Sequence, residues 1–211
     1  MDTSRSILKA RAEEEKQIRR LHIINCAEAV AKKVGLNKMS MSAVAKEADL
    51  APGTLYLYFK GKEELISQLA LKSRERVLEL FHEQSEQAEN SLEAIRGMLR
   101  ANFLFYKENS LYYDLLNFFE TDRHLQESPE MERASRNITA LVISVIDQAK
   151  SKGLVRQSIK ASELSYIMWG ACTGMVQLLD VKKEAISSFM EHSSKDMYET
   201  FVDIIIAGIK T

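Results

Sequence analysis

Residues 40–65 read SMSAVAKEADLAPGTLYLYFKGKEEL, and the fold turns on this stretch. Ser40 offers a side-chain oxygen to cap a short helix over 41–48. Val44, Ala45 and Ala48 fall on one face of that helix. Asp49 and Leu50 make a tight turn in which a left-handed residue is needed; glycine suits it best and Asp is tolerated. Pro52 fits the first position of a second helix over about 52–58, because its fixed φ and missing N–H cost nothing there. Two short helices joined by a turn of three to four residues are the helix-turn-helix pattern. Val44, Ala45, Ala48, Leu50, Leu55 and Phe59 form its predicted buried set, with the two small alanines allowing close crossing.

Assigning that inner face leaves Pro52, Gly53, Thr54, Tyr56, Leu57 and Tyr58 outside, followed by Lys60 and Lys62. This set suits DNA. Pro52 and Gly53 permit close approach to base edges, and Thr54 and the tyrosines supply hydroxyls. The lysines supply charge to the backbone. Helix starts near Ser42 and Pro52 add attraction for phosphate. Either tyrosine has an equal claim to packing within the fold.

Outward from this stretch, nearly every segment reads as helix. Over residues 16–34, Ile23, Ile24, Ala27, Val30, Ala31 and Val34 recur at helical spacing, and Gly35 ends the run as a left-handed cap. Further helices are predicted at about 62–84, 91–108, 110–121, 130–152, 161–180 and 194–209, with a break at Lys182-Lys183. The 211 residues hold only two prolines and eight glycines, which favours long helices over a turn-rich β fold. The predicted class is all-α: a three-helix N-terminal head over 1–62, including a basic arm over 1–19, and a helical body over 63–211.

Residues 1–62 carry 12 Lys and Arg against 7 Asp and Glu, and the remainder carries 17 against 23, so a net charge of −1 conceals a basic head on an acidic body. That asymmetry suits a polyanion-facing end. No apolar run approaches the ~18 residues that span a bilayer, and the charged N-terminus lacks a secretory apolar core. The expected location is cytoplasmic, without membrane association. Cys26 and Cys172 lack metal-ligand spacing and read as buried thiols.

The stretch resembles the N-terminal signature of the TetR/AcrR transcriptional regulators. Ser40, Met41, Val44, Ala45, Ala48, Leu50, Gly53, Thr54, Leu55, Tyr56, Tyr58, Phe59, Lys62, Glu63 and Leu65 stand at signature positions. Ile23, Ile24, Ala27 and Gly35 match its first helix. Asp49 replaces the usual turn glycine, Ala51 a frequent Ser, and Ala31 a common large aromatic. Ser42 stands where some relatives place a long base-reading side chain. The resemblance implies that Ser40, Thr54, Tyr58 and Lys62 hold phosphates while Pro52, Gly53 and Tyr56 meet bases in the major groove. It implies a dimer on a palindromic double-stranded operator, and release by a small effector, with repression as the default.

For that effector the resemblance nominates an apolar or amphipathic molecule in the body, near Phe103, Tyr106, Tyr113, Leu116, Asn117, Phe119, Ile146, Trp169, Cys172 and Met175. For each residue alone, ordinary core packing is the commoner role. The broad apolar faces of 161–180 and 194–209 suit self-association. Leu164, Met168, Gly170, Gly174, Gln177, Met197, Phe201, Ile204 and Ile205 are its predicted interface, with the two glycines leaving room for a neighbouring helix.

An enzyme is not expected. Glu79 and His82 have the spacing of half a bundle metal site, but no second copy accompanies them. Neither a phosphate loop nor a nucleophile motif occurs. No catalytic residue, metal or cofactor is assigned. The alternative is a helical scaffold that binds a protein partner and ignores DNA. The outward Thr54, Tyr56, Tyr58, Lys60 and Lys62 argue against it.

Overall fold

A computed structural model of the chain describes residues 2–121, 127–189 and 193–211, with all their side chains except those at 2–5, 8, 116, 117, 120, 121, 187 and 189. Ten helices are described: α1 (Asp2–Val34), α2 (Met41–Glu47), α3 (Pro52–Tyr56), α4 (Lys62–Gln87), α5 (Ser91–Glu108), α6 (Ser110–Thr121), α7 (Pro129–Ser151), α8 (Ala161–Val181), α9 (Lys183–Phe189) and α10 (Ser194–Ile209). The described residues contain no strand beyond an isolated antiparallel bridge between Val155 and Lys210. The all-α expectation holds.

Two elements differ from the sequence reading. The first helix begins at Asp2, not near residue 16. Residues 2–15 lack an apolar stripe, yet they are rich in Ala, Lys, Arg, Glu and Leu, all good helix formers. The extension is held by local bonds such as Gln17 Nε2 to Glu13 Oε1 at 2.9 Å. The second difference is α9, which fills the stretch after the Lys182 break. Its apolar anchor is the buried Ile186, too sparse a signal for periodicity to detect.

The chain forms two compact units, residues 1–72 with 110–128, and residues 73–109 with 129–211. In the first, α1, α2 and α3 pack around a core in which Ile23, Ala27, Val44, Ala45, Leu55, Phe59 and Leu65 are almost fully buried. Leu50, predicted inside, is only half-buried because it sits in the turn. α6 packs on α1 in the same unit.

In the second unit, α5 packs against α7, α8 and α10. Tyr198 of α10 lies at its centre, 1% exposed, stacked on Phe103 with ring centroids 4.2 Å apart. Its hydroxyl donates to the Leu99 carbonyl at 3.0 Å and lies 3.3 Å from Cys172 Sγ. Burial pushes the Cys172 thiol up to about 11 and the Tyr198 phenol well above its usual value. Both cysteines are free and buried, as expected. Capping fixes the helix ends. Asn90 accepts from the Leu92 and Glu93 N–H groups, and Ser193 and Asp196 form a reciprocal capping box.

Candidate nucleic-acid interface

The turn between α2 and α3 is built by the backbone. Leu50 N–H bonds to the Ala45 carbonyl at 2.9 Å and Asp49 N–H to the Lys46 carbonyl at 3.3 Å. This six-to-one and five-to-two pairing is the Schellman arrangement, which needs a left-handed residue at its penultimate position. Asp49 takes that conformation, with φ 54°. Ser40 caps α2 by accepting from Ala43 N–H at 3.2 Å. Pro52 opens α3, and Ala51 makes no side-chain cap.

Leu55 and Phe59 anchor α3 inward, at 0% and 1% exposure. The opposite face is free: Tyr56 is 54% and Leu57 79% exposed. Pro52, Gly53 and Lys60 are exposed and Thr54 and Tyr58 half-buried. Nothing lies within 4 Å of the position a Cβ would take on Gly53, so the surface over α3 is open there. Ser40 and Ser42 are exposed at the start of α2, their hydroxyls 3.1 Å apart. Lys62 is half-buried and donates to the Asn37 carbonyl at 2.9 Å. An ammonium has three donors, so this bond leaves two for other partners.

Sequence reasoning missed the residue that braces the end of α3. It gave Arg20 no packing role. The structure turns Arg20 inward: its guanidinium donates to the Tyr58 carbonyl, pairs with Glu64 at 3.4 Å and lies over the Phe59 ring at 4.3 Å. Glu64 in turn accepts from Lys60 N–H at 2.7 Å, in the turn that leads into α4. Within the N-terminal part of α1, Lys9, Arg11, Lys16 and Arg19 are exposed.

Among the effector candidates, Tyr113 is buried and Phe119 half-buried in the first unit, whereas Leu116 and Asn117 lie outside the described side chains. Phe103, Ile146 and Cys172 are buried in the second unit, and Tyr106 and Met175 are half-buried there. Trp169, nominated for the same pocket, is 46% exposed on α8 because it falls on the face away from Leu164, Met168 and Cys172. Those inward residues include two nominated for the dimer interface: Leu164 and Met168 are 4% and 5% exposed, spent on the core of their own unit. Gly170, Gly174, Gln177 and Ile204 are exposed, and Met197, Phe201 and Ile205 are half-buried. The apolar residues that α8 turns outward are Tyr166, Ile167, Trp169, Leu178 and Val181, of which the nomination held none for this surface. Among the described residues, no three His, Cys, Asp or Glu side chains gather as a metal site requires, and no helix is long and apolar enough to cross a membrane.

A short anchored helix with a free outer face, preceded by a capped helix and a left-handed turn, is the reading head of a helix-turn-helix DNA-binding protein. Comparison with known proteins narrows the class. Residues 23–69 match the family model of the bacterial regulatory proteins, tetR family. The HTH-type transcriptional regulator UidR of Escherichia coli is 25% identical over 173 residues, covering 82% of this chain and 86% of that protein. The structure of FadR from Bacillus subtilis, solved in complex with stearoyl-CoA, superposes with a TM-score of 0.73 at 16% identity, covering 90% of this chain and 98% of that one. The ketosteroid regulator KstR2 of Mycobacterium tuberculosis superposes with a TM-score of 0.65 at 17% identity, covering 92% and 95%. Residues 23–69 thus carry the tetR-family reading head, and the chain is a DNA-binding transcriptional regulator similar to the TetR family.

Proposed function

We propose that the protein is a ligand-responsive repressor that binds a palindromic operator as a homodimer and leaves it when a small amphipathic molecule binds the helical body. The observation that carries this reading is the outer face of α3, where Pro52, Gly53, Tyr56 and Leu57 stand free on a helix locked by Leu55 and Phe59. In this reading Tyr56 and the backbone at Pro52-Gly53 meet base edges, and Leu57 offers its side chain to a thymine methyl. Ser40, Ser42, Thr54, Tyr58, Lys60 and Lys62 hold phosphates. Lys9, Arg11, Lys16 and Arg19 on the α1 extension add charge toward the backbone. Residues 1–62 serve as the reading domain and 63–211 as the effector and dimer domain.

The dimer rests on the outward α8 residues together with Ile204 of α10, an apolar set interrupted by Gly170 and Gly174, both open to an approaching helix. The relatives suggest the effector class. One binds stearoyl-CoA and another is named for ketosteroids, both large and mostly apolar. A long-chain acyl thioester is the first molecule to try. The likeness to transcriptional regulators supports a regulatory role.

The test is fluorescence anisotropy with the chain's own upstream DNA across a salt series, followed by titration of stearoyl-CoA. Tight, sequence-dependent binding with a steep negative log–log salt slope supports the regulator reading. Release by micromolar stearoyl-CoA supports the effector class, and unchanged binding rejects it. No DNA binding at any salt concentration favours the scaffold alternative.

A further inference from the structure

Glu28 is the one buried charged residue among the described residues. It lies on the inner side of α1, where Ile24 and Ala31 are its apolar neighbours along the helix. Its Oε1 accepts from the Tyr112 hydroxyl at 3.0 Å and from Lys32 at 2.6 Å. Its Oε2 accepts from Lys72 at 2.5 Å, and Lys72 also donates to Asn25 Oδ1 at 2.9 Å. The Lys32 ammonium stands 5.8 Å from the centroid of the Tyr112 ring. One carboxylate therefore ties together α1, α4 and α6.

The connectivity gives this knot its significance. The chain leaves the unit of the reading head after Lys72, returns at Ser110 with α6, and leaves again after Ser128. Lys72 is the last residue before the first departure, and Tyr112 is two residues past the return. The donors from both chain segments that lead to the rest of the molecule converge on Glu28.

An apolar residue at position 28 would pack three helices at least as stably, because a buried ion cluster scarcely recovers its desolvation cost. An apolar contact, however, tolerates sliding, whereas a carboxylate bonded at fixed points by three donors admits one register. We propose that Glu28 is a positioning residue that fixes α4 and α6 to the reading head in a single register, so that operator affinity depends on Tyr112 and Lys72 although both lie off the reading surface. Loosening the knot spreads the head over several orientations. Only one orientation meets the groove, and the apparent Kd rises in proportion to the fraction lost. The inference rests on the DNA-binding reading.

The test uses the full chain with the upstream DNA fragment that the wild type retains. Tyr112→Phe removes one O–H donor and keeps the ring. Lys72→Gln removes the charge from a lysine whose side chain is 42% exposed, so it stands in if Tyr112→Phe fails to fold. Either variant should raise the Kd about tenfold, the factor that one lost hydrogen bond to a charged group represents. The log–log salt slope should stay at the wild-type value, because no phosphate contact is lost. Combining the variant with Glu28→Gln should add little, since all act through one carboxylate. A merely structural role would lower the Tm and leave the Kd of the folded protein within twofold of wild type, and that result overturns the inference. So does full additivity in the double variant. Wild type that retains no DNA would reject the DNA-binding reading, and this inference with it. Wild-type binding matched by every variant rejects this inference alone.

Discussion

The Arg20 guanidinium lies 4.3 Å from the centroid of the Phe59 ring, so the first helix braces the last residue of the reading motif from behind. The same side chain donates to the Tyr58 carbonyl, two residues past the end of α3. The cation is therefore shared between a backbone carbonyl and a ring face that favours positive charge.

Arg20→Ala should lower stability by about 2 kcal/mol, as expected for a lost, partly desolvated cation–π contact and a charge-assisted hydrogen bond. Arg20→Lys should recover less than half, because an ammonium cannot stack and fork at once. Thermal unfolding of the three proteins measures this. An Arg20→Lys variant as stable as wild type would show that charge alone matters.

Asp49 holds φ at 54°, a conformation that costs an L-residue energy and glycine almost none. Its side chain is exposed. Asp49→Gly should therefore stabilise the head by about 0.5–1 kcal/mol without altering DNA affinity. Chemical unfolding monitored by circular dichroism is the measurement, and destabilisation would mean that the Asp side chain has a role in the turn.

These two residues mark how much was legible in the sequence. Asp49, Gly35, Pro52 and the Ser40 cap act over a few positions, so local rules place them. The inner and outer faces of α3 follow from helical period alone. Glu28 and Tyr112 are 84 positions apart, and no periodicity links them. The visible signal was only a carboxylate within an apolar stripe. On α8 the period is blurred because the helix is apolar on both sides. Leu164 and Met168 looked equivalent to Ile167 and Trp169, yet the first pair faces the core and the second faces outward. Sequence gives the stripe there, and only packing decides which side it serves.

Burial alone would push the Glu28 carboxyl up, but hydrogen bonds from Lys32, Lys72 and Tyr112 outweigh it and hold the group at about 2. A carboxyl depressed in the folded state contributes stability above its unfolded pKa and loses it as pH falls through the folded value. The contribution should be complete above about pH 4.5 and lost progressively down to about pH 2. Glu28→Gln should be less stable than wild type at pH 7, with the gap closing across that acid window. A gap independent of pH would mean that Glu28 titrates normally.

Trp169 is the chain's only tryptophan and is 46% exposed on the outward face of α8, so its fluorescence reports directly on whether that face is covered. Ile204 on α10 is 65% exposed and makes a second probe of the proposed dimer surface. If two copies meet there, a charge at position 204 must be desolvated in the assembly without a partner, a cost large enough to part most dimers. Ile204→Arg should sediment as a monomer at concentrations where wild type is dimeric, and its Trp169 emission should shift to the red. Because the substituted side chain is exposed in the single chain, the helical content should be unchanged. The monomer should also bind operator far more weakly, since one head loses the help of its tethered twin. A dimeric Ile204→Arg with wild-type emission would place the interface on another face, and the outward residues of α8 would then need a different partner.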